Sequence, residues 1–439
     1  MNPKAEPRID WDALNEQATE WLSEYIRVDT VNPPGNETRA VEWLGSILDQ
    51  ESISYETYGA TKDRLNLVAR LHGDGSGGKA LILLNHTDVV PFEREHWTVD
   101  PMAGEIRDGL IWGRGATDMK GMGIMELISF ILHKRHQLPL KRDLVFMAVA
   151  DEEAGSTYGA EYLADKHPEL LDCEYVINEG GQGTVEVLGV ERPTFNIGVS
   201  EKGPFWLTLR TTGAPGHGSV PTLDNAAVRL VSALERIATW DRPLIVTPEV
   251  MEYFQQLHDA GIVSDQPTES MLASLAEQHP RLHSLQTNSI SLTTLNAGVK
   301  MNVIPAEATA TLDCRLIPGY DPDLFMRELV EVINDESVEI IREFESSTPP
   351  SRLDTELYEV MTAAAKSHVE DALVVPSVST GFTDSRVFRR KGITAYGFMP
   401  VLLGPMEVGR AHGNDECLSI ENLRMGIQVL HETIRGICS

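Results

Sequence analysis

The chain has 439 residues and a formal net charge of −29, and 42% of its residues are hydrophobic. This length exceeds the size at which one hydrophobic core usually stops growing, so we expect two domains. The excess of acidic residues argues against a nucleic-acid partner, because neutralising phosphates requires clustered Lys and Arg. The sequence shows neither a run of about eighteen apolar residues nor a secretory leader, which predicts no membrane partner and a cytoplasmic location.

The first half of the chain alternates helical and strand patterns. Apolar residues recur at helical spacing from Leu14 to Tyr25, and a second helical pattern covers residues 122–136. Short apolar runs typical of strands occur at residues 81–84, 144–150 and 175–177. Strands of this kind are buried on both faces, so the pattern predicts an α/β fold with a mainly parallel sheet.

The pattern changes near Ser200. A β-α-β-β-α-β order is predicted from strands at 204–212, 288–295, 306–316 and 338–344 and helices at 225–240 and 322–334. This order describes a small two-layer domain inserted into the larger one, and further helices at 248–284 interrupt it without an evident purpose. We therefore predict a main domain in two parts, 1–199 and 348–439, and an inserted domain at 200–347.

Two polar residues follow the predicted strand at 81–84. Alternation along the strand places His86 and Asp88 on one face, where Asp88 could orient the imidazole and determine which nitrogen meets a metal. A structural hydrogen-bonded pair explains the same pattern equally well. Farther along, Asp118 follows a glycine-rich turn, and taken alone it is better explained as a cap of the next helix than as a metal ligand.

Three consecutive acids end the strand predicted at 144–150. Asp151, Glu152 and Glu153 lie at the mouth of a predicted parallel sheet, where the active sites of α/β proteins form. Solvated acidic turns are common, but here Glu153 can bind a metal while Glu152 accepts a proton from water. Glu179 repeats the arrangement after the next strand, and His412 precedes the last helix, although either could be a polar loop residue.

Together, these motifs supply five side chains that suit a metal centre: His86, Asp118, Glu153, Glu179 and His412. Two imidazoles and three carboxylates can hold a pair of zinc-like ions with one carboxylate shared between them. Asp88 and Glu152 then remain for catalytic roles. The combination predicts a metal-dependent hydrolase.

With these motifs in this order, the chain resembles the zinc-dependent exopeptidase and deacylase family of aminoacylase, carboxypeptidase S, acetylornithine deacetylase, succinyl-diaminopimelate desuccinylase and glutamate carboxypeptidase. The segments at 179–181 and 199–203 are most similar to the carboxypeptidase S and N-acyl-amino-acid hydrolase branch, whereas 118–121 is closer to the deacetylases. The resemblance implies a catalytic α/β domain with an inserted lid or dimerisation domain. It also implies two divalent ions, Zn²⁺ or alternatively Co²⁺ or Mn²⁺, and a possible homodimer through the insertion.

The resemblance divides the five ligands between the two ions. His86 and Glu179 would bind one ion, and Glu153 and His412 would bind the other. Asp118 is similar to the carboxylate that bridges them.

The resemblance also implies catalytic and substrate-binding roles. Glu152 would be the general acid/base, Asp88 the partner of His86, and His217 the lid histidine that stabilises the oxyanion in the site of a dimer partner. The matches to substrate-contacting residues are Asn302, Arg315 and Arg386. His217 could instead be a flexible loop residue, and the arginines could pair with surface acids, although a guanidinium suits a substrate carboxylate through two parallel hydrogen bonds.

The implied reaction is hydrolysis of the amide bond of a small molecule, an N-acyl amino acid or a short peptide with a free carboxylate. Glu152 would take a proton from metal-activated water and deliver it to the departing amine, while one metal and His217 share the oxyanion charge. A metal-dependent dipeptidase or carboxypeptidase would use the same site. An inactive binding homologue is the alternative outside enzymes, and the presence of every expected ligand argues against it.

Overall fold

The computed structural model describes residues 9–439. Its helices, numbered in chain order, are α1 Trp11–Arg27, α2 Thr38–Gln50, α3 Lys120–Arg135, α4 Ala160–Lys166, α5 Ala226–Ala238, α6 Pro248–Asp259, α7 Glu269–Gln278, α8 Pro280–Leu285, α9 Pro322–Ile333, α10 Glu356–His368, α11 Ser385–Arg389 and α12 Ile420–Cys438. Within the described range, no helix combines the length and apolar character needed to cross a bilayer.

The strands, also numbered in chain order, are β1 Tyr55–Tyr58, β2 Asn66–Leu71, β3 Ala80–His86, β4 Glu105–Arg107, β5 Leu110–Trp112, β6 Leu144–Val149, β7 Cys173–Asn178, β8 Gly183–Val187, β9 Val190–Glu201, β10 Gly203–Thr212, β11 Gly216–His217, β12 Ser289–Ala297, β13 Val303–Ile304, β14 Glu307–Leu316, β15 Glu339–Glu345, β16 Leu373–Ser379, β17 Thr394–Gly397, β18 Leu402–Leu403 and β19 Cys417–Ser419.

The main sheet has the strand order β1-β2-β6-β3-β7-β17-β9-β8-β18, with β16 paired to β9. The central strands β6, β3, β7 and β17 are parallel, whereas β1 and β2 add antiparallel pairs at one edge. Side chains alternate along β3: Leu81 and Leu83 pack with α1, α3 and α12, while Ile82 and Leu84 pack with α4 and α11. Burial on both faces explains the continuous apolar runs, and the predicted mainly parallel α/β fold is confirmed.

Helix α3 is buried on nearly all sides, from Lys120 to His133. A helix that is apolar around its whole circumference belongs inside a protein, and α3 lies between the main sheet and helices α1 and α12. Because α3 begins two residues after Asp118, the packing of the helix also determines where that carboxylate lies.

A second, antiparallel sheet has the order β12-β14-β10-β15. Helices α5 and α9 cover one face of it, and side chains such as Phe205, Leu230 and Phe325 form a separate hydrophobic core. Apart from the two-residue strands β11 and β13 and the helices α6–α8, the chain order is β10-α5-β12-β14-α9-β15, which is the predicted β-α-β-β-α-β order. The domain limits at 199/200 and 347/348 stay a prediction.

The helices α6–α8, whose purpose the sequence did not indicate, pack beside the main sheet. Phe254, Leu257 and Leu272 share a core with Val375 of β16 and Val187 of β8. This segment therefore covers the β16 edge of the main sheet, although the chain enters and leaves it between two elements of the smaller domain.

Candidate metal centre

The five predicted ligands meet at the carboxyl edge of the parallel strands. His86 is the last residue of β3, Glu179 directly follows β7, and Glu153 lies in the turn after β6. These three strands are parallel neighbours, so their carboxyl ends lie side by side. Asp118 and His412 come from loops that reach the same edge.

The carboxylate of Asp118 lies between two histidines. Its Oδ1 is 3.1 Å from Nε2 of His86, and its Oδ2 is 3.1 Å from Nε2 of His412. Glu179 Oε1 lies 3.7 Å from the His86 Nε2, and Glu153 Oε2 lies 3.1 Å from the His412 Nε2. One carboxylate oxygen thus faces each His–Glu pair. Asp118 does not cap α3, whose N-cap is Met119 with no side-chain cap bond, so the helix-cap interpretation is wrong.

Asp88 contacts both His86 and the acidic turn. Nδ1 of His86 lies 3.0 Å from the carbonyl oxygen of Asp88, which can only accept, so Nδ1 carries the proton and donates. In the neutral imidazole, this arrangement leaves the lone pair of Nε2 for a metal. The Asp88 carboxylate accepts hydrogen bonds from the backbone N–H groups of Glu152 and Glu153 at 3.1 and 3.2 Å.

The centre holds more buried negative charge than its two imidazoles can balance. Burial, together with the charge of Asp118, raises the pKa of Glu179 to about 8, and burial beside Glu179 raises the pKa of Glu152 well above its usual range. Hydrogen bonds to Asp118 and Glu153 raise the pKa of His412 to about 10. Imidazole and carboxylate donors in such a setting fit divalent cations of the zinc type.

Glu152 is 7% exposed and lies in a short 3₁₀ turn. Its carboxylate belongs to a group with His86 and Glu179 whose ligand atoms all lie within 4.8 Å of one another. A base at this position can reach a water held between the ligands.

A family comparison identifies the chain. The model of Peptidase family M20/M25/M40 matches residues 82–436, a range that includes all five predicted ligands. The chain belongs to this family. This M20 protein is therefore a metal-dependent hydrolase, as the sequence resemblance predicted.

Individual relatives cover nearly the whole M20 chain. It is 29% identical to the N-fatty-acyl-amino acid synthase/hydrolase PM20D1 of Xenopus tropicalis, over 96% of this chain and 86% of the relative. It is 27% identical to aminoacylase-1 of Sus scrofa, over 95% and 94% of the two chains. Among solved structures, the M20 family metallo-carboxypeptidase Sso-CP2 of Sulfolobus solfataricus shares the fold with a TM-score of 0.74 and 19% identity, covering 96% and 99%.

Arg386 of the M20 protein lies in the interior, next to the acidic turn. Its guanidinium donates to the carbonyl oxygen of Gly155 at 2.9 Å and to Oγ of Ser156 at 3.3 Å, and the residue is 1% exposed. These contacts hold the chain just after Glu152 and Glu153. The predicted role of Arg386 in binding a substrate carboxylate stays a prediction.

The predicted lid residues of the M20 protein lie apart from the five predicted ligands. His217 is exposed on β11, which pairs with β13, and the N–H of Gly218 donates to the carbonyl oxygen of Asn302. Arg315 donates two hydrogen bonds to Asp313, at 2.7 and 3.0 Å. Across residues 9–439, none of the three predicted lid residues forms a hydrogen bond or ion pair with the five ligands.

Phe382 connects the two arginines that were predicted to bind substrate. The guanidinium carbon of Arg315 lies 5.1 Å from the centre of the Phe382 ring, and that of Arg386 lies 5.2 Å from it. A cation over an aromatic face is attracted by the charge distribution of the ring. This contact joins strand β14 of the smaller sheet to the segment between β16 and α11, the helix that contains Arg386.

Three polar residues behind the predicted ligands were not evident from the sequence. Asn32 donates to the carboxylate of Asp88 at 2.8 Å, and Arg114 and Glu416 form a buried ion pair at 2.6 Å. Charged side chains are rarely buried without a partner, but a sequence does not show which of them are buried. The sequence features that could have pointed to these two residues are the position of Arg114 between two glycines and that of Glu416 four residues after His412.

Proposed function

We propose that this protein hydrolyses the amide bond of N-acyl amino acids, or of short peptides, that carry a free carboxylate. Two divalent cations would be held by His86, Asp118, Glu153, Glu179 and His412. The observation that carries the proposal is the position of Asp118, whose two oxygens each lie 3.1 Å from a different histidine. The similarity to an aminoacylase and to an N-fatty-acyl-amino acid hydrolase supports an N-acyl amino acid as substrate.

A bound cation pair supplies the Lewis acidity that makes water a nucleophile near neutral pH and polarises the amide carbonyl. The nitrogen and oxygen donors suit Zn²⁺, with Co²⁺ and Mn²⁺ as alternatives.

The side chains of this chain then direct the protons and orient the substrate. Glu152 accepts the proton of the attacking water and delivers it to the departing amine. Asp88 keeps Glu152 in place through the backbone of the turn. His217 donates to the oxyanion, and Asn302, Arg315 and Arg386 contact the substrate, the arginines its carboxylate.

We also propose a homodimer in which the inserted domain of one chain brings His217 to the site of the other. The exposure of His217 and its separation from the ligands support this arrangement. Light scattering of the purified protein should give twice the mass of one chain, and a monomer with full activity would contradict the proposal.

A metal analysis combined with a substrate matrix tests the function. The protein is stripped with a chelator, reloaded with Zn²⁺, Co²⁺ or Mn²⁺, and assayed against N-acyl amino acids, dipeptides, and the same compounds with the carboxylate blocked as an amide. We expect two ions per chain and hydrolysis only of compounds with a free carboxylate.

The pattern of rates separates the alternatives. Faster turnover of dipeptides than of every N-acyl amino acid would identify a dipeptidase or carboxypeptidase. A protein that binds no ion and cleaves nothing would refute the proposal and leave a binding homologue.

A further inference from the structure

We infer that Glu416 and Arg114 are positioning residues that hold the loops of Asp118 and His412 at a fixed separation, and that they thereby set the affinity for the cation between these two ligands. The inference rests on the proposed metal centre. Within residues 9–439, neither residue forms a hydrogen bond or ion pair with Asn302, Arg315 or Arg386, so their effect would act through the two ligands.

Glu416 is a buried carboxylate, and among the described residues every hydrogen bond that its carboxylate accepts comes from the loop of Asp118. Its Oε1 accepts from the backbone N–H groups of Thr117 and Asp118 at 2.8 and 2.9 Å. Its Oε2 accepts from the N–H of Gly115 at 3.1 Å and from Nη1 of Arg114 at 2.6 Å. Both oxygens are therefore occupied, and the residue is 0% exposed.

Arg114, in the loop of Asp118, also binds the loop of His412. Its Nη2 donates to the carbonyl oxygen of Gly413, the residue after His412, at 2.9 Å. The guanidinium also lies over the ring of Trp97 at 5.2 Å, and the residue is 2% exposed. A planar guanidinium can make both hydrogen bonds at once, whereas the ammonium of a lysine cannot reproduce this fork.

Hydrogen bonds of the backbone also join the loops of Asp118 and His412. Strand β5, which precedes the Asp118 loop, pairs antiparallel with β19, which follows the His412 loop. The N–H of Gly113 donates to the carbonyl oxygen of Glu416, and Oγ1 of Thr117 donates to that of Cys417. The two loops thus form one unit, although they are about 300 residues apart in sequence.

The ligand geometry depends on this unit. His412 has a φ of 61°, a left-handed conformation that a non-glycine residue keeps only when its surroundings hold it there. Its imidazole is more than half exposed, so packing constrains it little, and the neighbouring Gly413 is tied to Arg114. Residues that orient metal ligands typically contribute about 10- to 100-fold to metal affinity.

The substitution Glu416→Gln tests the inference, because it keeps the shape of the side chain but places an NH₂ group against N–H donors. We expect the metal equivalent held by Asp118 and His412 to bind about 10- to 100-fold more weakly, with a smaller loss at the other equivalent, which shares only Asp118. The readout is calorimetric titration of the stripped protein with Zn²⁺, supported by the visible spectrum as Co²⁺ is added. Activity should recover at saturating metal, because the residue does not take part in the reaction itself.

Glu407→Gln is the matched control. Glu407 is also buried, in the same stretch of chain, and its carboxylate accepts from the N–H groups of Gly404 and Ser419 and from Asn422. None of these donors lies in a ligand loop, so metal affinity should not change. Arg114→Lys provides a second test should Glu416→Gln fail to fold, with the same expected loss at one site.

The outcomes separate the inference from the proposed function. Wild-type protein that binds no metal would refute the metal centre itself. Wild-type protein that binds two equivalents, with folded Glu416→Gln or Arg114→Lys binding both equally well, would overturn the inference alone. An equal loss of affinity in Glu407→Gln would also overturn it, because the effect would then follow from any buried carboxylate in this region.

Discussion

In the proposed mechanism, Glu152 moves a proton and does not hold a cation. It lies beside Glu179 and His86, and the hydrogen bonds that Asp88 accepts from the turn keep it there. Glu152→Gln should therefore retain both ions and lose about 10²- to 10⁴-fold in turnover, the usual contribution of a general acid/base. Metal content and kcat are measured on the same preparation, with the exposed Glu169→Gln as the control. Turnover near the wild-type value would remove Glu152 from the mechanism.

His217 should affect turnover without affecting metal content. Removing one donor to an oxyanion typically costs about 10²- to 10³-fold in kcat, so we expect His217→Ala to lose that much. His72→Ala, which removes an imidazole that is mostly exposed, provides the comparison. Wild-type kcat in the His217 variant, or loss of an ion, would contradict the role.

At the scale of elements, α3 and α12 bury two histidines against each other. The rings of His133 and His431 have centroids 5.3 Å apart, and burial lowers their pKa values to about 4 and about 3. In the unfolded chain both groups bind a proton near pH 6.5, so acidification below that value favours unfolding, down to the folded pKa values. The contact between these helices should weaken as the pH falls from 6.5 to 4.

His431→Phe should reduce this acid sensitivity. At pH 5 the unfolded chain binds a proton at each of these histidines and the folded chain does not, which lowers the free energy of unfolding by about 2 kcal/mol per histidine relative to neutral pH. A phenylalanine binds no proton and removes this contribution. Free energies of unfolding at pH 7 and pH 5 are measured in urea for wild type, the variant and the partly exposed control His96→Phe. An equal loss in all three would show that the acid effect arises elsewhere.

At the scale of the whole molecule, the metal centre should connect pH to stability. Without cations, Glu179 keeps its proton up to about pH 8 in the folded chain but releases it near 4.5 when unfolded, so stability falls as the pH rises between these values. His412 stabilises the folded chain fully below pH 6.5 and less as the pH rises toward 10. Both groups therefore make the metal-free protein less stable as the pH rises.

The gap in Tm between metal-loaded and stripped protein should therefore widen from pH 5.5 to pH 8. Metal binding requires deprotonated carboxylates and neutral imidazoles, so it also strengthens over this range. Differential scanning fluorimetry at several pH values measures the gap, and Asp118→Ala, which lacks the shared ligand, should show little of it. A gap that is constant with pH would contradict this coupling.

Much of the fold and the set of ligand residues followed from local sequence patterns. Continuous apolar runs predicted the central strands, and the ligands His86, Glu153 and Glu179 were found because each comes at or just after the end of one of them. The β-α-β-β-α-β order was equally readable, since each element has its own periodicity. Each of these patterns extends over only about ten neighbouring residues, so it can be detected without knowledge of the folded chain.

Contacts between distant segments determined the rest. A single histidine or aspartate is weak evidence for a metal site. The evidence becomes stronger when the carboxylate of Asp118 lies between His86 and His412, and a single sequence does not show that these side chains are close together. The packing of α6–α8 on the main sheet and the interior position of Arg386 depend on tertiary packing in the same way. The five candidate ligands could be named from the sequence because their chemistry is local, and the family resemblance implied how they pair. The Arg114–Glu416 connection required the folded chain, because it joins loops about 300 residues apart.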